Sequence, residues 1–212
     1  MDYRMDLSQY SDQPISTQVL FGLLKGYSRP YDKIMEMVNQ GILVQLRRGL
    51  YMTSPLVSTI TPEPFLIANH LYGPSYISLD SALFHWGLIP ERVFEISCVT
   101  PKISKKILVQ NAVYSYTHLP IAYYPLGIQS LSLTATQTVL IASPEKALCD
   151  KVITTAGINL RSKQQAMAFL VEDLRIDKEQ LRELNTTEMT SWLPVCPKRK
   201  SILLLIETLS AL

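Results

Sequence analysis

Between Ser16 and Met52 the apolar residues change their spacing twice, and few folds accept the resulting order of elements. Val19, Leu20, Leu23 and Leu24 form a helical stripe behind Ser16, a residue type that caps helix N-termini. GYSRP then breaks the chain. A second helix is expected behind it, with Ser28 as its cap, Pro30 in the first turn where a missing N–H costs nothing, and Gly41 at its stop. Tyr31, Ile34, Met35 and Val38 are expected on its inner side, and Asp32, Lys33, Glu36 and Gln40 on its outer side. ILVQLRRGLYM next alternates with the period of a strand. Ile42, Val44 and Leu46 share a face, a turn is expected over Arg47–Gly49, and Leu50 and Met52 resume. Helix, turn, helix and hairpin in this order predict a winged helix-turn-helix.

TSPLVSTITPEP, Thr53 to Pro64, places three prolines among hydroxylated residues and reads as a linker. The expected division is a head over residues 1–54 and a body over 55–212. In the body, Thr61 with Pro62 predicts one helix start, and Ser78 predicts another that stops at Gly87. Strands are expected at Val93–Thr100, Ile107–His118 and Gln129–Ile141, with PIAYYPLG as a loop. Ser143 and Pro144 open a strongly signalled helix that ends at Gly157. From about residue 158 the tail is helical, with SKQQ and DKEQ resembling capping boxes and Pro197 opening a final helix. The fold class is therefore α+β: the winged head, then a mixed α/β domain with a helical tail.

The net charge is +2, too small for a polycationic coat, but the sign is unevenly spread. Lys25 to Met52 carries five cations (Lys25, Arg29, Lys33, Arg47, Arg48) against two anions (Asp32, Glu36), whereas 14 cations and 13 anions nearly cancel from Pro55 onward. A basic stripe on a near-neutral body suits a module that touches a phosphate backbone, although a merely solvated face has the same composition. Cys98, Cys149 and Cys196 lack metal-ligand spacing and are expected to be buried thiols. The N-terminal MDYRMDLSQYSDQ is acidic and has no signal-peptide core, and the longest apolar run, Ile202–Ile206, is far too short to span a bilayer. A soluble, cytoplasmic protein with no membrane partner is expected.

The chemistry follows from these placements. The helix behind GYSRP would lie in a major groove, where Arg29 and Lys33, one turn apart, can reach guanine edges or phosphates. Ser28 and the N–H groups beside it can hold a phosphate. Tyr31 counts toward the inner stripe and also among the candidate DNA contacts. Arg47 and Arg48 at the hairpin tip would meet the backbone or minor groove. A protein-docking head with solubilising arginines is the competing reading. Lys102, Lys105 and Lys106, and Lys198, Arg199 and Lys200, are either solvated surface or accessory contacts for nucleic acid or a partner. The second trio has no evident stability role, since cations at a helix N-terminus oppose its dipole. His70, His85 and His118 are too far apart for a metal site, no nucleotide-binding or hydrolase motif occurs, and the strands offer one carboxylate, Glu95. No catalytic residue, metal or cofactor is expected. Glu145, Lys146, Asp150 and Lys151 recur at helical spacing, which predicts a salt-bridged brace. Lys146 and Asp150 would face solvent, and Ala147, Leu148, Val152 and Ile153 would pack on the sheet.

Four segments together resemble a known family: RRGLY at Arg47–Tyr51, PSYISLDSALFHWGLIPE at Pro74–Glu91, VTPK at Val99–Lys102 and SPEKALCD at Ser143–Asp150. They are similar to the AbiEi family, the antitoxins of abortive-infection AbiE (type IV) toxin–antitoxin systems. The likeness runs from the second helix of the head to about Gly157. It implies a winged head that binds double-stranded operator DNA and represses its own operon, a C-terminal domain needed for antitoxin action, and functional antagonism of a nucleotidyltransferase-like toxin without a stable complex. No convincing first helix is read before Ser16, so the head is expected either to be trimmed or to use Leu7–Tyr10 as a substitute; beyond Gly157 the tail carries no family signature. Two other readings remain open: a regulator whose body senses a ligand or partner without any toxin, and a nuclease or nucleotidyltransferase whose carboxylates assemble only in three dimensions.

Overall fold

The computed structural model describes residues 3–91 and 93–212, so Met1 and Asp2 of the acidic N-terminal stretch lie outside the described residues. The chain is an α+β protein of two compact units. One comprises the residues up to Gly73 together with Leu131–Val139, and the other Pro74–Ser130 with Leu140–Leu212. The units thus divide after Gly73, whereas the sequence places its seam between residues 54 and 55. A side chain from far along the chain explains the difference. The buried Gln137 accepts from the Glu63 N–H (2.6 Å) and donates to the Thr61 carbonyl (3.2 Å), which holds the proline-rich segment and the following helix in the first unit.

The first unit contains α1 (Tyr3–Ser8), β1 (Ile15–Ser16), α2 (Thr17–Leu23), α3 (Pro30–Asn39), β2 (Leu43–Arg47), β3 (Leu50–Thr53) and α4 (Pro64–Leu71). β1, β3 and β2 form an antiparallel sheet in that order, with Ile15 opposite Tyr51. The core gathers Leu7, Ile15, Leu20, Leu24, Ile34, Met37, Ile42, Leu43 and Tyr51. Each fully buried aliphatic side chain there contributes about 1.5–3 kcal/mol. Leu7 brings α1 into that core, so a helix does precede Ser16. Ser16 caps α2 by accepting from the Val19 N–H.

α3 departs from expectation at both ends of its inner stripe. Pro30 at the first helical position puts the cap at Arg29, which has no side-chain acceptor, and leaves Ser28 exposed and uncapping. The buried stripe is Ile34 and Met37, with Val38 half-buried, while Tyr31 turns outward. Gly41, at φ +69°, closes the helix as a left-handed stop: its N–H reaches Val38 O and the Ile42 N–H reaches Met37 O. The hairpin alternation is also shifted. Pairing of Gln45 with Tyr51 and of Arg47 with Leu50 leaves Leu46 as an extra residue, so Leu43 and Leu46 are both buried and Val44 is only half-buried. α4 opens at Glu63 and Pro64, two residues later than Thr61 and Pro62 suggest.

A mixed sheet carries the second unit, although the end of its last strand and the start of the one before it in the order fall in the Leu131–Val139 stretch assigned to the first. Its strands are β4 (Tyr76–Ile77), β5 (Glu95–Thr100), β6 (Lys105–Val109), β7 (Ala112–His118), β8 (Ile128–Ser132) and β9 (Thr138–Ala142), in the order β6-β7-β5-β4-β9-β8. β5 runs parallel to β7, and β6 antiparallel to it. The two long strands read from the sequence are each two strands. Gln110, at φ +52°, turns β6 into β7, and the bond from Leu133 N to Gln137 O closes the turn before β9. Neither turn carries Gly or Pro.

Helices α5 (Leu79–His85), α6 (Pro144–Thr154), α7 (Lys163–Ala168, continued by a π turn over Phe169–Asp173), α8 (Lys178–Arg182), α9 (Thr186–Ser191) and α10 (Arg199–Leu209) complete the unit. Ser143, Ser162 and Asp177 cap α6, α7 and α8 as expected. Gly87, at φ +72°, ends α5 with the bonding pattern seen at Gly41. Cys98, Cys149 and Cys196 are free and buried. Among the described residues no helix is long and apolar enough to cross a membrane.

Lys198 corrects the sequence reading. It precedes α10 in a left-handed conformation (φ 49°), and its ammonium donates to the carbonyls of Val152, Thr155 and Ile158 at 2.9–3.0 Å. The side chain therefore caps the C-terminus of α6, where a cation is favoured by the dipole, and is not available as a surface contact. Lys198→Met is expected to cost about 1.5–3 kcal/mol, the range for hydrogen bonds to charged groups, whereas Arg199→Met should stay within about 0.5 kcal/mol. Urea unfolding of both variants checks this.

Candidate functional site

The basic residues of the first unit do not form one uniform patch. Arg29 and Tyr31 are exposed on α3, yet each cation of this helix meets an acid three residues on. Arg29 lies 3.6 Å from Asp32, and Lys33 bonds Glu36 at 2.8 Å. Lys33 is folded down: its side chain is 15% exposed, and its ammonium sits 5.6 Å from the centre of the Tyr27 ring. Gln40 also donates to Glu36, and these donors, Lys33 first, hold the Glu36 carboxyl below the usual carboxylate range. Lys33 thus differs from the projecting side chain that helical spacing suggests. Among the described residues of this unit, Lys25 and the adjacent Arg47 and Arg48 at the β2–β3 tip are exposed cations without an ion pair. Arg47 donates to the Arg48 carbonyl at 3.2 Å. It also lowers the pKa of His70, although burial is the larger cause. The start of α3 has no side-chain cap, which leaves room for an anion or water at its first-turn N–H groups.

The remaining candidate lysines are dispersed over the second unit. Lys102 precedes β6, Lys105 and Lys106 lie on it, and Lys106 pairs with Glu95 at 2.9 Å. Arg199 and Lys200 are exposed in the first turn of α10.

A buried polar cluster was not foreseen as such. Lys146 and Asp150 are both 0% exposed, so the pair read as solvent-facing is an interior one. Asp150 Oδ1 meets Lys146 Nζ at 3.2 Å, while Oδ2 accepts from the Tyr76 hydroxyl and the Ser78 hydroxyl, each at 2.8 Å. Lys146 also donates to the Tyr123 carbonyl at 3.1 Å and stands 3.2 Å from the centre of that ring. Ser78, expected to cap α5, instead gives its hydroxyl to Asp150. Burial raises the pKa of Asp150 against the pull of Lys146, and burial lowers that of Lys146.

The cause of the misreading is that α6 is enclosed on all sides, with Glu145 through Asp150 buried without a break. Glu145 accepts from the Asn185 N–H at 2.9 Å, and Lys151 reaches Asp80 at 2.7 Å. These bonds bring together the segments that carried the family resemblance. PSYIS supplies Tyr76 and Ser78, PEKALCD supplies Lys146 and Asp150, and the Trp86 indole donates to Ala142 O just before Ser143. Both charged side chains are wholly out of solvent, so the cluster belongs to the interior of the second unit. Among the described residues no group of three His, Cys, Asp or Glu side chains is placed to hold a metal ion.

No family model matches the chain, and no curated protein matches it. A solved structure does. The chain is similar to the crystal structure of the RV2827C protein from Mycobacterium tuberculosis, with a TM-score of 0.61 and 16% identity, over 97% of this chain and 75% of that one. At that identity the likeness is one of fold.

Proposed function

We propose that the chain is a cytoplasmic, double-stranded-DNA-binding autorepressor whose first unit is a winged helix, and that it acts as the antitoxin of an AbiE-type toxin–antitoxin system. The observation that carries the DNA reading is the exposed Arg47–Arg48 pair at the tip of the hairpin that follows α3. Two adjacent, uncompensated arginines have little structural use there, and they stand where a wing meets the phosphate backbone. The neutralised pairs on α3 fit the reading of bases more than attraction to phosphate. Arg29 and Lys33 exchange Asp32 and Glu36 for base edges on binding, and the acids left behind disfavour unselective contact with the backbone. The antitoxin half rests on the four motif segments, two of which, Pro74–Glu91 and Ser143–Asp150, meet in the buried cluster of the second unit.

The test separates these roles. Arg47→Ala with Arg48→Ala is expected to weaken operator and unrelated DNA alike and to flatten the salt dependence, by about one unit of log–log slope per lost phosphate contact. An unchanged slope in a folded variant would remove the wing assignment. Arg29→Ala or Lys33→Ala is expected to reduce the operator-to-random affinity ratio by about 1–3 kcal/mol. Equal losses on both DNAs would reassign these residues to phosphates. For the antitoxin half, a co-directional nucleotidyltransferase-like reading frame is expected beside this one, and co-expression of the two is expected to relieve the growth arrest caused by its product alone. A second reading keeps the DNA-binding head but makes the second unit a ligand sensor. It draws on a cleft of about 430 Å³ lined by Asp80, Ile89, Glu91, Lys151 and Leu174. Regulation of the operator by a small molecule, without any toxin, would favour it.

A further inference from the structure

We propose that β6 is a docking edge for an extended acidic segment of a partner protein, which joins the sheet of the second unit as an additional strand. This does not depend on the DNA-binding reading. β6 ends the strand order, so among the described residues only β7 pairs with it and its other backbone edge faces outward. Native edges are commonly blunted by proline, a bulge, a covering segment or charge, above all lysine, which repels a second basic edge but not an acidic strand. β6 has no proline, and its pairing with β7 runs without a shift from Lys105 to Val109. Its surface is sticky and basic: Ile103 and Leu108 are 83% and 70% exposed, and Lys102, Lys105 and Lys106 are exposed around them. Shallow cavities of about 460 and 250 Å³ flank its start, the first lined by Lys102, Ile103 and His118, the second by Lys105, Lys106 and Ser115.

The occupant follows from the charge and from the backbone. Lys105 and Lys106 point to opposite faces, because they pair with Tyr116 and Ser115, and Leu108 shares the face of Lys106. A strand added beside them therefore places acids next to Lys105 and Lys106 and apolar residues next to Ile107 and Leu108. A nucleic acid also fits the charge but not the edge. Phosphates only accept hydrogen bonds, so the outward carbonyls of β6 would gain no partner, whereas a peptide strand supplies donors and acceptors alternately.

The probe is a capped peptide, Thr-Val-Val-Glu-Glu-Thr, together with its reversed sequence to cover both strand directions, titrated into the full chain. One of the two is expected to bind saturably and to slow amide exchange selectively at Lys105–Val109. Methylating alternate backbone nitrogens of the bound peptide keeps its charge and is expected to weaken it by at least about tenfold, because the strand bonds are lost. Lys105→Glu with Lys106→Glu is expected to lose the acidic peptide and gain its Lys-Lys counterpart; Lys105→Glu alone gives the same direction should the double variant misfold. No saturable binding, equal binding of the methylated peptide, or protection elsewhere on the chain would overturn the proposal. So would a single-stranded or duplex oligonucleotide that shifts the β6 amides more strongly than either peptide.

Discussion

Asp150→Ala is expected to lower the unfolding free energy by about 3–5 kcal/mol, the range for breaking a buried ion pair from one side. The carboxylate is the acceptor for Tyr76 and Ser78 and the counter-ion of Lys146, so its removal strands two hydroxyls and an ammonium that has no exposure to water. Lys146→Met with Asp150→Leu removes both charges and is expected to cost far less than either single change, because the desolvation of the pair disappears with it. The pH dependence gives a second check. Burial already depresses the folded-state pKa of Lys146, and without Asp150 the largest opposing influence is gone. The unfolded variant then binds more protons than the folded one below the ordinary lysine value of 10.5, so its stability rises as the pH climbs toward that value. Urea titrations at several pH values measure both effects. A loss within about 1 kcal/mol, typical of surface pairs, would return the cluster to the solvent-facing brace that the sequence suggests.

Gly127→Ala is expected to destabilise the chain by about 2–5 kcal/mol, from a left-handed backbone and from overpacking together. Gly127 adopts φ +64°, and a Cβ there would lie 2.8 Å from the Lys146 Cβ and from two atoms of the Trp192 ring. Its carbonyl accepts from the Ser143 N–H at 2.8 Å, so the loop cannot move away without disturbing the start of α6. Gly157→Ala is the control. It shares the left-handed backbone (φ +81°) but has nothing within 4 Å of the added carbon, so it should lose only the conformational part. Equal losses at the two positions would show that sterics against Lys146 and Trp192 play no part.

What could be read from the sequence was local. Ser16, Ser143, Ser162 and Asp177 cap their helices because acceptor and donor lie two or three residues apart. Gly41 and Gly87 mark stops for the same reason. Ser28 fails because a proline two residues on fixes where the helix begins. Ser78 fails because its hydroxyl is claimed by a carboxylate 72 positions away, which no local pattern reports. Leu46 breaks the strand period through one extra residue in the ladder. At the candidate site, the arginine tip was legible because a turn exposes whatever it carries. The fate of Lys33 was not, since helical spacing gives a direction but not the pull of Glu36 and Tyr27. Lys146 and Asp150 were misplaced for a related reason: an i,i+4 ion pair looks the same whether water or other helices cover it.

The bond from Lys198 to the end of α6 has a consequence for the growing polypeptide. Synthesis runs from N- to C-terminus, and a nascent chain can fold a region only when all of its parts have been added. α6 is made well before residue 198, so the carbonyls of Val152, Thr155 and Ile158 wait through the synthesis of some forty further residues for their donor. The first unit waits too, for the Gln137 amide that binds Thr61 and Glu63. A nascent chain from which residue 139 but not residue 198 has emerged would therefore hold a first unit with all its parts beside an unfinished second one.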